Sequence, residues 1–362
     1  MSGNQLTVEC FRGQIPPFAA TELQRLYHNL YASLPKLRVA GQLQQAVSTY
    51  VRRVDGVAVA VLLFRLEADQ VHVLNEVVAL EPQEIRTFTA YIFQEFPAAH
   101  VVNFHAIDLG TQRVALPKGL PVQQYHRSED IVLTLPATVA AYNALLGKAT
   151  RTYINRYLKK LLRSFPGFAC TVYEGDQITC GQMEVLAGLN RERMAGKHKK
   201  SSNDATRTAQ LFSLARELGF VVVCTIDGRI CAGTANYRVG DDYFMEVIAH
   251  DAQYDTYRLG TLCCYLTICK CIERHDLAYH FLWGRYAYKY RLLGTHHDLD
   301  QIVLYRSYRQ FLLHAHVAVR HALTDCSHSL HHRLLAVARR KHGWTSHVLT
   351  RAMGVVRHAR HH

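Results

Sequence analysis

The sequence predicts an α/β protein of two similar halves followed by a basic helical tail. Three patterns carry that expectation. A hairpin, a third strand, a helix and a further strand occur in that order twice, with an Asp-Gly turn at the matching place in each hairpin. A basic amphipathic segment separates the two runs. Beyond residue 306 the chain becomes rich in arginine and histidine. The expected division is therefore residues 1–136, 137–305 and 306–362.

Composition narrows the class. A chain of 362 residues has room for two compact domains, and 49% hydrophobic with 20% charged residues is the balance of a folded protein. The net charge of +13 favours an anionic partner: nucleic acid, an anionic membrane surface or a phosphorylated cosubstrate. No apolar run reaches the length of a membrane span, and the opening MSGNQLTVECFRGQ lacks the basic-then-apolar form of a signal peptide. The expected location is the cytoplasm. Ten cysteines include no C-x-x-C pair, and Cys263, Cys264, Cys269 and Cys271 lie along one apolar segment. They read as reduced core residues, with no metal site.

In order, residues 6–11 read as a strand, Pro16-Pro17 as a turn, and Leu23, Leu26, Leu30 and Leu34 as an apolar helical stripe. Residues 50–54 and 57–65 form a hairpin about Asp55-Gly56, followed by a strand at 71–78, a helix at 82–96 and a strand at 101–104. The second copy has strands at 221–226 and 230–237 about Asp227-Gly228. Next come a Gly240-Asp241-Asp242 turn, a strand at 243–249, a helix from Gly260 and a strand at 279–283. Where the second copy has Tyr257-Arg258-Leu259-Gly260-Thr261, the first has Glu81-Pro82-Gln83-Glu84. Two acids at a helix start repel an anion; a glycine with an arginine before it invites one. The second half thus reads as the working copy and the first as scaffold.

Between the copies, residues 145–165 place Ile154, Tyr157, Leu158, Leu161, Leu162 and Phe165 on one helical face, with Lys148, Arg151, Arg156, Lys159, Lys160 and Arg163 around the rest. That helix is either a solvated face docked by its stripe or a basic wall beside an anionic substrate. Residues 186–202 read as a polar, basic loop of the kind that closes over a ligand, with Asn190, Arg191, Arg193, Lys197 and His198 as binding candidates.

On the basic helix LGKATRTYINRYLKKL, the hairpin and third strand, the turn YRLGTL and the closing WGRYAYKYR, residues 145–294 resemble the CelD/FemAB-like branch of the GNAT acyltransferases. The resemblance implies tandem GNAT-like α/β/α domains with mixed, mostly antiparallel sheets. It also implies an acyl-CoA donor and transfer to an amine on an envelope polysaccharide, peptidoglycan or natural-product precursor. The family often has an Asp where His280 stands and acids where Arg285 and Tyr286 stand, which points to an anionic acceptor.

Acyl transfer to an amine needs a bound donor, a neutral amine, a stabilised oxyanion and a proton for the leaving thiolate. Backbone amides of Arg258, Leu259, Gly260 and Thr261 would hold the donor's pyrophosphate. The edge of the 243–249 strand, at Val247 and Ile248, would pair with its pantetheine arm. Glu246 and His250 are the candidate bases; Glu246 reads equally as a solvent-facing acid. Tyr288 is the candidate acid, with Tyr286 as the alternative and packing as the other reading of both. Arg191, Trp283, Arg285, Tyr286, Lys289 and Arg291 are the candidate substrate-binding residues. Two rivals stand beside this reading: an aminoacyl-tRNA-dependent transferase of the Fem type, and a non-catalytic assembly or resistance factor on the same fold.

The tail, residues 306–362, holds eleven of the 22 histidines. It reads as a solvated basic segment, as a peripheral anchor on the inner membrane face through Trp344, Leu349 and Met353, or as a metal or nucleic-acid binder through His328, His331 and His332.

Overall fold

The structure, a computed structural model, describes residues 5–195 and 204–314. The expectations for the tail, and those for Lys197 and His198, lie outside the described residues. Twelve strands form one sheet: β1 (Leu6–Phe11), β2 (Ser48–Val54), β3 (Val57–Glu67), β4 (Gln70–Val73), β5 (Val101–Ile107), β6 (Val122–Thr134), β7 (Ala169–Glu174), β8 (Gly219–Ile226), β9 (Arg229–Val239), β10 (Asp242–His250), β11 (Ala278–His280) and β12 (Thr295–Tyr305). The helices are α1 (Ala19–Tyr27), α2 (Leu34–Val39), α3 (Pro82–Glu95), α4 (Val139–Leu145), α5 (Lys148–Ser164), α6 (Cys180–Ala195), α7 (Ala205–Leu218), α8 (Leu259–Ile272), α9 (Ala287–Arg291) and α10 (Tyr308–Leu313). None of the described helices is long and apolar enough to cross a membrane.

The strand order is β1-β2-β3-β4-β5-β12-β6-β11-β10-β9-β8-β7. Read outward from the β12–β6 pair, both sides run the same way. The last strand of each half is exchanged: β6 lies beside β11, and β12 lies beside β5. The duplication is therefore visible in space, and its halves are stitched by the long β12–β6 ladder from Thr295–Val132 to Leu304–Val122.

Local chemistry explains the copies. The hairpin turns at Asp55-Gly56 and Asp227-Gly228 have φ values of 51° and 80° in the first and 49° and 80° in the second. That is the left-handed pair a two-residue hairpin demands, and Asp-Gly supplies it cheaply. Strand alternation then sorts the core: Phe220, Val222 and Cys224 of β8 face α5 and α8, while Val221 and Val223 face α6 and α7. In the first half Leu62 and Phe64 face α3, and Val61 and Leu63 face α1 and α2. Cys224, Cys231, Cys263, Cys264, Cys269 and Cys271 are buried and unbridged.

Several expectations need correction. Residues 186–195 belong to α6, not to a loop, because Met183, Leu186 and Ala187 turn one helical face into the core. The stripe from Leu23 to Leu34 is broken into α1, a short 3-10 turn and α2. β4 ends at Val73, short of residue 78, and β11 ends at His280, short of residue 283. β6, β7 and β12 were not expected.

Candidate active site

The site forms where two neighbouring strands part. β10 and β11 run parallel for only three residues, Asp242–Phe244 against Ala278–His280. Beyond them β10 stays with β9 as far as His250, across a bulge between Met245 and Val247, whereas Phe281 turns to β6 and its N–H donates to the Ile131 carbonyl at 2.8 Å. A cavity of about 510 Å³ opens in the fork. Its walls include Glu246, Val247, Ile248 and His250 of β10, Arg258, Gly260 and Thr261 at the start of α8, and Trp283, Tyr286, Tyr288 and Lys289 beyond β11.

At one end stands the α8 N-terminus. Arg258, its N-cap, has φ 58°, a left-handed conformation uncommon for a residue with a side chain. As the first two helical residues, Leu259 and Gly260 present amides that the helix leaves without acceptors, while the Thr261 N–H returns to the Arg258 carbonyl at 3.0 Å. Leu259 is completely buried and does not line the cavity, whereas Gly260 and Thr261 do. A Cβ on Gly260 would lie 2.6 Å from His250 Nδ1, so glycine is the residue that fits. His250 also contacts Asp255, Nε2 to Oδ1 at 2.8 Å, which fixes the imidazole at this end.

At the bulge the picture differs from a lone acid. Glu246 accepts from Tyr31 Oη at 2.8 Å and from Arg207 at 3.2 Å, and it is ion-paired with Lys36. Its side chain is only 5% exposed. Tyr31 and Lys36 come from the first half; Tyr31 completes the wall of the second half's cavity, and Lys36 pairs with Glu246 without lining it. Burial lowers the Lys36 pKa, and Glu246 opposes it; burial and then the Glu246 charge push the Tyr31 phenol well up. The two oxygens of Glu246 are thus committed to contacts within the protein. On the same strand the Ile248 carbonyl accepts from Asn190 Nδ2 at 3.0 Å.

The far wall is a built loop. Leu282 and Gly284 both take positive φ, at 55° and 94°. Lys289, 2% exposed, donates from Nζ to the carbonyls of Phe281, Leu282 and Trp283 at 2.8, 2.8 and 2.6 Å. Burial lowers its pKa to about 8, yet three acceptors on one nitrogen require the three donors of the ammonium form. Lys289 therefore staples the loop rather than pointing at a ligand. The loop presents Tyr288, whose phenol burial pushes well up, so it stays protonated. It also presents Trp283, which leans on Tyr31 with ring centroids 5.2 Å apart.

Arg285 does not line the cavity; it bonds Glu129 at 3.4 Å and lies 3.6 Å from Asp298. Arg291 sits at the end of α9, its guanidinium 5.8 Å from the Tyr153 ring centroid. Arg191 does not line the cavity; Arg193, Met194 and Arg207 do. No group of side chains among the described residues could hold a metal ion. Tyr31, Lys36 and Arg207 carry no local signal in the sequence: Tyr31 and Lys36 pair with Glu246 across more than two hundred positions and Arg207 across 39.

With this geometry in place, the comparisons fall into line. Residues 148–290 match the family described as Acetyltransferase (GNAT) domain. No curated protein matches the chain. The fold is similar to that of FemX at a TM-score of 0.60 and 9% identity, covering 84% of this chain and 99% of that one. It is similar also to a conserved protein of unknown function from Bacteroides thetaiotaomicron VPI-5482, at 0.52 and 13% identity, covering 82% and 99%. Residues 148–290 thus carry a GNAT-type acyltransferase domain. The whole chain shares its fold with FemX, and the matched residues 148–290 lie in the half that carries the forked cavity.

Proposed function

We propose that the protein is an N-acyltransferase that moves an acyl group from acyl-CoA to an amine carried by an anionic acceptor. The candidate acceptors are an envelope polysaccharide, a peptidoglycan precursor or a natural-product precursor. The observation that carries this reading is the forked β10–β11 cavity, with an open helix N-terminus at one end and a protonated phenol on the opposite wall. The donor's pyrophosphate would lie on the Leu259 and Gly260 amides with Arg258 adding charge. Its pantetheine arm would run beside Val247 and Ile248, bringing the thioester to the bulge.

The amine nitrogen then attacks the thioester carbonyl, the C–N bond forms, the nitrogen gives its surplus proton to solvent, and the oxyanion collapses with cleavage of C–S. Tyr288 gives its proton to the departing thiolate and regains one from solvent. Glu246, held between Lys36 and Arg207, acts as an anchor for the cavity wall, so the amine loses its proton to water before attack. His250 is a positioning group at the phosphate end. Arg193 and Arg207 outnumber Glu246 at this end of the cavity lining, which suits an anionic acceptor.

The net charge of +13 and the acid-free helix α5 favour a second reading, transfer from an aminoacyl-tRNA. Thermal stabilisation separates the two. The intact chain is expected to shift with acetyl-CoA or a longer acyl-CoA, and a Gly260→Trp variant to lose that shift. A shift with tRNA alone selects the second reading, and no shift with any donor rejects both. Attachment to the inner membrane face through the tail is tested separately, by liposome co-sedimentation of the chain truncated after Tyr308.

A further inference from the structure

The basic face of α5 does not stand alone. Arg156 lies 4.6 Å over the Tyr157 ring and donates to its hydroxyl at 2.8 Å, and Arg258, from the α8 N-cap, lies 6.0 Å over the same ring. Tyr153 packs beside Tyr157 with centroids 4.8 Å apart and carries Arg291 over its other neighbourhood at 5.8 Å. Three separate elements therefore bring guanidinium groups to one pair of tyrosines. A shallow depression on this face is lined by Lys148, Ala149, Thr152, Tyr153 and Arg156.

Like charges converge only when something offsets them. Elsewhere in the second half arginines are neutralised: Arg216 by Asp176, Arg238 by Asp276, Arg274 by Glu174, Arg285 by Glu129. Among the described residues no carboxylate lies within ion-pair distance of Lys148, Arg156, Arg258 or Arg291. Asp255, the acid that acts on Arg258, is already engaged by His250. Arg258 belongs both to this cluster and to the wall of the forked cavity, so the two sites are continuous.

We propose that this α5 face, resting on the acyl-CoA reading above, seats the nucleotide end of the donor. The adenine lies against Tyr153, and the phosphates are held by Arg156, Arg258, Arg291 and Lys148. Tyrosine rings offer a base a stacking surface, and guanidinium forks match phosphate oxygens. A donor whose acyl end reaches the bulge and whose pyrophosphate meets Gly260 must leave the cavity past Arg258, and α5 is what it meets there.

Calorimetry on the full chain with CoA and with 4′-phosphopantetheine tests this. CoA is expected to bind at least about tenfold more tightly, because only it carries the 3′-phosphoadenosine. A Tyr153→Ala, Arg156→Glu double variant should lose that advantage while its affinity for 4′-phosphopantetheine stays the same. Arg156→Lys should keep most of it, and matching melting temperatures would exclude a folding defect. Equal binding of both ligands to the intact chain overturns the inference but leaves the donor reading standing; binding of neither removes both. A double variant that keeps full CoA affinity but loses a single-stranded RNA oligonucleotide assigns the face to a polynucleotide instead, and also overturns it.

Discussion

The two halves treat the same fork in opposite ways. In the second, β10 leaves β11 after Phe244 and a cavity opens. In the first, β4 pairs in parallel with β5 over Gln70–His72 and also ends early, but the following segment closes the gap. The Val77 and Leu80 amides donate to the Ala106 and Asp108 carbonyls at 2.8 and 3.2 Å, and the Asp108 amide returns to Val78 at 3.0 Å. Behind that seal, α3 begins with Glu81 at its N-cap and a buried Glu84 ion-paired to Arg52, where α8 begins with Arg258 and Gly260. One fold therefore holds a filled site and an open one. The difference teaches that the strand split is inherited from the fold, while the site is made by leaving the split unpaired and removing acids from the helix start.

Four changes would break or sharpen that contrast. The largest effect is expected at Gly260. Its Cβ space is taken by His250, so Gly260→Trp should abolish donor binding, whereas Gln83→Trp at the equivalent exposed position of α3 should leave it untouched. Donor titration of both variants reads this, and a loss in the Gln83 variant would deny the asymmetry. Next is Tyr288→Phe, which should lower kcat by about 10²-fold with little change in KM, as loss of a proton donor does; an unchanged kcat removes Tyr288 from the chemistry.

Third comes the contact between the halves. Glu246→Ala leaves the buried Lys36 ammonium without its partner, at a cost of about 3–5 kcal/mol in unfolding free energy. The isosteric Glu246→Gln should keep the pH–rate profile of the parent, because the amine is deprotonated by solvent. A lost alkaline or acidic limb in that variant would make Glu246 the base.

The smallest effect lies beneath the fork. His280 on β11 bonds Asp130 of β6 at 2.6 Å and lies 3.7 Å from Asp242 of β10. Burial works to lower its pKa, but the Asp130 bond and charge, with Asp242 behind them, raise it to about 9. Its unfolded value is near 6.5, so the folded state binds the extra proton and is stabilised below that pH. The contribution, on the order of 3 kcal/mol at most, fades as pH rises from about 6.5 through about 9. Urea unfolding across that window should show the decline, and His280→Gln should flatten it.

The duplication was legible because it is written in local chemistry. Asp-Gly turns, β-branched hairpins and an apolar α8 each announce themselves within a few residues. So did Gly260 and Tyr288, which stand on the element boundaries that frame the cavity. The strand exchange was not legible. β6 and β12 read as polar segments, VQQYHRSEDIVLT and THHDLDQIVLY, because their charged residues are satisfied by partners across the sheet such as Glu129 with Arg285. From sequence alone Lys289 and Arg285 read as substrate-binding residues. Their side chains instead hold the loop carbonyls and Glu129, a choice set by a turn geometry that composition does not reveal. The cluster of Tyr31, Lys36, Arg207 and Glu246 needs both halves folded before it is complete, since Tyr31 and Lys36 reach Glu246 from the first half.

The most direct test of the central claim is the crystal structure of the chain with bound acetyl-CoA. The account predicts the pantetheine arm beside Val247 and Ile248, pyrophosphate on the Leu259 and Gly260 amides, and an unchanged, closed β4–β5 fork. A donor seated in the first half, or against neither fork, would contradict it.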